Sequence, residues 1–186
     1  ALAWLFLGQD KLRETILMLR ELVRLEPANP SFPAEIARLY GRLGRLDDAE
    51  RTLLDFSESA PDNVAGHIAL AEFYLKAKPQ PAFAVEQARK AVDLAGTAQH
   101  WVLLSAAHEL AGELPAAVDA LEHAAQLAPD NPQYRQLLAL SKARAATRDA
   151  AGQARPVKKG QSTDAGALPG ISPGGTTAPE APHQGD

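Results

Sequence analysis

The sequence predicts an all-α solenoid of helix–turn–helix units, and three observations carry that prediction. A leucine or isoleucine followed by a tiny residue returns every 34 residues, at Leu2-Ala3, Ile36-Ala37, Leu70-Ala71, Leu104-Ser105 and Leu138-Ala139. Other columns keep the same phase: Phe6, Tyr40, Tyr74 and His108 as a bulky place, then Leu12, Leu46 and Leu114, then Leu19, Leu53 and Leu121. Units close on Pro27, Pro61 and Pro129, each soon followed by Asn29, Asn63 or Asn131. A fixed period of this length marks stacked units, each burying its apolar face on its neighbours.

Taken in order, the first unit covers residues 1–29, with a turn at Asp10 and a second helix over 11–25. The next units cover 30–63, 64–97 and 98–131. Their first helices are expected over 31–43, 64–77 and 98–111, and their second helices over 47–59, 82–94 and 115–127. Apolar residues recur at helical spacing, as in Ile36, Leu39, Tyr40 and Leu43. Asp47 with Glu50 has the spacing of a capping box, and Pro115 suits a first helical turn. Gly44 and Gly112 can adopt the left-handed conformation that ends a helix. Small residues at Ala37, Ala71 and Ser105, facing Ala49, Ala84 and Ala117, allow close approach of two helices. In the third unit the second-helix columns run one residue late. An extra residue in Lys78-Pro79-Gln80-Pro81 is given back at Gly96, where the proline is missing.

The two ends differ. Residues 132–150 read as a terminal helix with Arg135, Lys142, Arg144 and Arg148 on one side and Leu137 and Leu138 on the other, a solvating cap for the stack. Residues 151–186 shift to Gly, Pro, Ser and Thr without apolar periodicity, the composition of a disordered tail. At the other end Ala3 already occupies the small column, and Ala1–Leu7 is almost wholly apolar. The expectation is that preceding repeats, or a domain of a longer protein, cover that stretch.

These residues resemble the tetratricopeptide repeat family over roughly residues 1–150. The fourth unit is the best copy, with Trp101, Leu104, Ser105, His108, Gly112, Ala117, Leu121, Ala124 and Pro129 in the family's pattern. His108 departs from the usual aromatic, and the third unit lacks its proline. The resemblance implies a right-handed superhelix whose first helices line a concave surface that holds extended or helical peptides. Co-chaperones of this family grip an acidic tail with lysines, asparagines and an arginine. The matching positions here are Ala34, Arg38, Ala69, Gln99 and Leu103, so that clamp is absent.

Bulk composition narrows the function. Of 186 residues, 19 are basic and 23 acidic, giving −4, so no whole-chain field favours nucleic acid. Cysteine is absent, which removes disulfides, iron–sulfur clusters and thiolate zinc sites. No apolar run approaches the ~18–20 residues that span a membrane. Ala1–Leu7 lacks the basic start and cleavage site of a secretory leader. No phosphate loop, GxSxG, HExxH or CxxC occurs, and His100, His108 and His123 lack a convergent ligand spacing. Neither catalytic nor cofactor nor metal residues are expected. Among the histidines, His108 reads as a packed ring and the others as exposed.

What is left is the groove. First-helix residues not claimed by packing columns are Trp4 and Leu7, Arg38 and Arg42, Ile68, Glu72, Leu75 and Lys76, then Val102, Ala106, Glu109 and Leu110, with Ala34 and Gly41 beside them. An apolar floor of Trp4, Ile68, Leu75, Val102 and Leu110 with a few charges suits a peptide or a partner subunit. The expected function is a protein–protein interaction scaffold. The alternative is the repeat appendage of a larger enzyme, such as a glycosyltransferase or redox protein.

Overall fold

The computed structural model describes residues 2–153, and the side chains of all of these except 2–7, 9, 149 and 151–153. Eight α-helices and no strand stand among them: α1 (Leu2–Leu25), α2 (Ser31–Arg42), α3 (Leu46–Ser59), α4 (Val64–Lys76), α5 (Pro81–Ala95), α6 (Ala98–Ala111), α7 (Leu114–Leu127) and α8 (Pro132–Gln153). Nearly all of the expected disordered tail, from residue 154 on, lies outside the described residues. The hairpins are α2–α3, α4–α5 and α6–α7, and each following first helix packs on the hairpin before it. First helices α4 and α6 also lie side by side. The result is an all-α solenoid with one face made of first helices and another made of second helices.

The small-residue columns explain why the helices pack so closely. Ala71, Ala49, Ala84 and Ala117 are each 0 % exposed, and Ala37 and Ser105 are buried beside them. A methyl or hydroxymethyl is all that separates paired helices there, and a larger side chain would overpack the seam. The bulky column is buried too, with Tyr40, Tyr74 and His108 enclosed. Leu138 and Ala139 keep the pattern on α8, yet Leu138 is only half-buried and Ala139 is exposed, because α8 packs on α7 and among the described residues no second helix follows it. The charged cap expected there therefore also shows Leu137 and Leu140 to solvent.

The turns follow from their sequence. Gly44 and Gly112 sit at φ +72° and +76°, where a Cβ is strained. Each closes its helix with the same pair of bonds: Arg45 N–H to Tyr40 O (2.9 Å) with Gly44 N–H to Gly41 O (3.0 Å), and Glu113 N–H to His108 O (2.9 Å) with Gly112 N–H to Glu109 O (3.0 Å). The recurring asparagines start the next helix. Asn29, Asn63 and Asn131 accept from the backbone N–H two residues on, at 3.1, 3.1 and 3.0 Å. In the third unit Thr97 takes that place, accepting from His100 N–H.

Three expectations are corrected. No turn breaks the chain at Asp10; α1 runs through it unbroken, and Asp10 pairs with Arg13 along the helix at 3.3 Å. The two hairpin turns at Gly44 and Gly112 each rest on a left-handed glycine, and Asp10 offers no such freedom. Asp47 and Glu50 form no capping box, because α3 begins at Leu46 with Arg45 at its N-cap and no side-chain cap bond. Both carboxylates instead hold the ammonium of Lys78, at 2.8 and 2.7 Å. His67 is buried rather than exposed, for the reason given below.

Lys78 belongs to the turn that carries the third unit's extra residue, so this pairing ties the enlarged turn to the preceding hairpin. Hydrogen bonding to Lys78 holds the Asp47 carboxyl below its ordinary range. Glu50 also accepts from the Tyr74 hydroxyl at 2.9 Å. Burial first, then this carboxylate, pushes the Tyr74 phenol up to about 12.

Leu104 is 5 % exposed, so Leu104→Ala leaves a cavity between units and is expected to cost ~2–5 kcal/mol. Arg38→Ala, at an exposed pair, should barely move stability. Thermal unfolding of both variants checks this, and equal losses would contradict the packing. A second outcome concerns Tyr74. Its folded pKa is raised, so the stability it adds is complete below the ordinary tyrosine value of ~10 and is lost as pH rises through about 12. Tyr74→Phe should lower the melting midpoint at neutral pH yet flatten the alkaline decline over that window. Melting curves that stay parallel from neutral pH through the alkaline range would refute the assignment.

Candidate functional site

The first-helix face holds a groove of about 640 Å³ between α2 and α4. Its floor is built of Ala34, Ala37 and Gly41 from α2, Leu46 and Leu53 from α3, and Ala69, Phe73 and Ala77 from α4. Small residues at helical spacing make the depression, because each leaves the space that a longer side chain would fill. A Cβ added at Gly41 would meet nothing within 4 Å. The rim is charged, with Arg38 and Arg42 on α2 facing Glu72 and Lys76 on α4.

These charges are unequally satisfied. Arg38 Nε donates to Glu35 at 2.7 Å, and a second guanidinium N–H reaches the other carboxylate oxygen, a bidentate pair. That bond is the main reason the Glu35 carboxyl is held below its ordinary range; the nearby charges of Arg38 and Arg42 add to it and partial burial opposes it. Lys76 meets Glu72 at 3.3 Å. Among the described residues Arg42 makes no ion pair, so its guanidinium is left to solvent at the mouth of the groove.

Of the residues expected to line a peptide site, Arg38, Arg42, Glu72 and Lys76 come together here. Ile68 and Leu75 lie half-buried on α4 but outside this groove, with Leu75 packed on the core. On α6, Ala106 and Leu110 are exposed and Val102 is half-buried. Glu109 is already engaged, accepting from Arg144 of α8 at 2.8 Å. Trp4 and Leu7 lie on α1, and their side chains are outside the described ones. The floor between α2 and α4 is made instead of small residues with Leu46, Leu53 and Phe73, while Ala34 and Gly41 lie in it as the helical phase expects. Phe73 could have been found, since residues 69, 73, 76 and 77 share one helical stripe.

The histidines do structural work. His67 is 4 % exposed. Its Nε2 lies 2.9 Å from Pro61 O, and its Nδ1 lies 2.8 Å from Gln87 Oε1 and 3.4 Å from Ser57 Oγ. A serine beside an imidazole suggests a nucleophile and its base, but here both nitrogens are engaged, one by a backbone carbonyl and the other chiefly by an amide. The ring pins α4 to α5 and to the turn before it. His108 Nδ1 lies 2.6 Å from Glu113 Oε2, and His123 stacks on Trp101 with centroids 4.3 Å apart. Among the described residues no helix is long and apolar enough to cross a membrane.

The model of the tetratricopeptide repeat family matches residues 6–71. No curated protein matches the chain. Several solved structures share its fold. One is MamA (41-end) from Desulfovibrio magneticus RS-1, at 22% identity and TM-score 0.60, covering 79% of this chain and 83% of that one. Another is TTC0263, a thermophilic TPR protein in Thermus thermophilus, at 19% identity and TM-score 0.54, covering 77% and 79%. The first TPR domain of human RPAP3 aligns at 20% identity and TM-score 0.55, covering 65% of this chain and 95% of that domain.

Proposed function

We propose that this protein, whose residues 6–71 match the model of the tetratricopeptide repeat family, is an interaction scaffold that receives a peptide, or an extended segment of a partner subunit, between α2 and α4. The observation that carries the reading is the groove of about 640 Å³ with its apolar floor and a cation at its mouth that no carboxylate neutralises among the described residues. Burying an apolar side chain on a floor of small residues supplies affinity without a large rearrangement, because the space already exists. Arg42 then sets direction, since it favours a carboxylate on the ligand at one end of the groove only. The rim pairs Arg38–Glu35 and Lys76–Glu72 are exposed and contribute little by themselves, but they exclude ligands whose charges clash with them.

Two variants test this with peptides selected from a random display library. Gly41→Leu fills the floor from a helical position with open space around it. It is expected to keep the fold, gain up to ~1 kcal/mol of helix propensity and lose peptide binding. Arg42→Glu should weaken the same peptides by about tenfold or more, while costing the fold no more than ~1 kcal/mol for a carboxylate in the last turn of α2. Fluorescence anisotropy reads both. Selection that yields no peptide family, or peptides that bind both variants as well as the parent protein, would refute the assignment.

A further inference from the structure

The opposite face carries a groove that the peptide site does not use. Between α3 and α5, floored by α4, lie two depressions of about 340 and about 420 Å³ that share Ser57, Glu58 and Lys90. At one end stands Phe83, 50 % exposed, and at the other Leu94, 41 % exposed. An aromatic ring left half in water beside a depression is a ready apolar anchor point. The floor is fixed in advance, because His67 is bonded to Gln87 on one wall and to the Pro61 carbonyl on the other.

Charge distinguishes this face from its counterpart. The first helices α2, α4, α6 and α8 carry seven basic and four acidic residues, whereas the second helices α3, α5 and α7 carry three basic and nine acidic. Within the groove, Glu50 is occupied by Lys78 and Tyr74, and Glu86 by Lys90 at 2.8 Å. Glu58 and Asp93 are exposed and make no ion pair among the described residues. Two unneutralised carboxylates therefore flank an apolar trough that ends on Phe83 and Leu94.

We propose that the α3–α5 groove is a second docking surface, which takes a basic amphipathic segment of a partner protein, its apolar side chains on Phe83 and Leu94 and its cations on Glu58 and Asp93. The chemistry is the reverse of that at the α2–α4 groove, where a cation waits for a carboxylate. The two grooves share no lining residue, so a scaffold that holds one ligand on each face can bring an acidic and a basic segment together.

Fluorescence anisotropy with a labelled peptide of lysine and leucine at amphipathic helical spacing tests this, beside a peptide of equal charge with serine in place of leucine. The leucine peptide is expected to bind, and the serine peptide to bind about tenfold more weakly or less. The double variant Glu58→Lys, Asp93→Lys and the single variant Phe83→Ser should each weaken the leucine peptide by about tenfold. Arg42→Glu should leave it unchanged. Absence of binding, equal binding of the serine peptide, or indifference to the Glu58 and Asp93 reversals would each overturn the proposal. Loss of binding in Arg42→Glu would place the peptide on the other face and overturn it as well. A failure confined to Gly41→Leu and Arg42→Glu with the library peptides would count only against the α2–α4 site.

Discussion

The rest of the structure depends on the close approach of helices at Ala49, Ala71, Ala84 and Ala117, all fully buried. Nothing longer than a methyl or hydroxymethyl group stands in these seams, so the helices approach closely and their packing geometry is tightly fixed. Repetition of the same seam every hairpin keeps first helices on one side and second helices on the other. Both candidate grooves are consequences of this. A depression between α2 and α4 exists because two first helices flank a floor of small residues, and one between α3 and α5 exists because two second helices flank α4. The apolar columns supply the driving force, but the alanines set the shape.

The third unit shows how such a stack absorbs an irregularity. Its turn is one residue longer than its neighbours' and lacks the glycine that closes the turns at Gly44 and Gly112. The backbone compensates with Lys78 N–H to Phe73 O and Gln80 N–H to Tyr74 O, both at 3.1 Å. The Lys78 ammonium then reaches back to Asp47 and Glu50 on α3. Most ion pairs among the described residues are exposed and local, three or four residues apart along one helix, and such pairs add little. Lys78 differs because it bonds across units and shares Glu50 with the largely buried Tyr74. Its contribution is to hold the register of an enlarged turn.

Much of this was legible in the sequence, and the misses share a cause. The small column, the left-handed glycines and the asparagines that start each helix are local signals repeated in phase, and each copy supports the others. The seam residues Ala37, Ala71 and Ser105 were readable for that reason. Asp47 and Glu50 were misread because their spacing fits a local motif while their partner, Lys78, lies some thirty residues away in a turn outside the repeat pattern. His67 falls outside the packing columns, so the sequence places its ring at the surface; its burial depends on Gln87 and Pro61, and the period gives no sign that either meets it. At Asp10 the columns match the hairpin pattern, but the position has neither the glycine of the turns at Gly44 and Gly112 nor the prolines of the turn at Pro79 and Pro81, and the helix continues. In the groove, the charged residues and the small Ala34 and Gly41 are legible from the helical phase, whereas Phe73 falls outside the expected lining. Ala37, Leu46 and Leu53 of the floor are columns of the repeat, but Phe73 stands outside them, and the period gives no sign that it reaches the groove.

Charge carries a different kind of information. Net charge describes the chain as nearly balanced, and that balance hides a division between the two helix sets. Packing does not require it, since an exposed charge of either sign is equally soluble on either face. Helix-end preference accounts for part of it, through Asp47 and Asp48 in the first turn of α3 and Arg42 and Lys76 in the last turns of α2 and α4. It does not account for Glu58 near the end of α3 or Asp93 near the end of α5, where helix dipoles disfavour carboxylates. Local helix stability would place lysine or arginine at those positions, so their occupancy by acids runs against the intrinsic preference of the helices that carry them. The basic excess of α2, α4, α6 and α8 comes from α8. The excess of acid over base on α3, α5 and α7, built at a small cost to the helices, is what the proposed docking of a basic segment draws on.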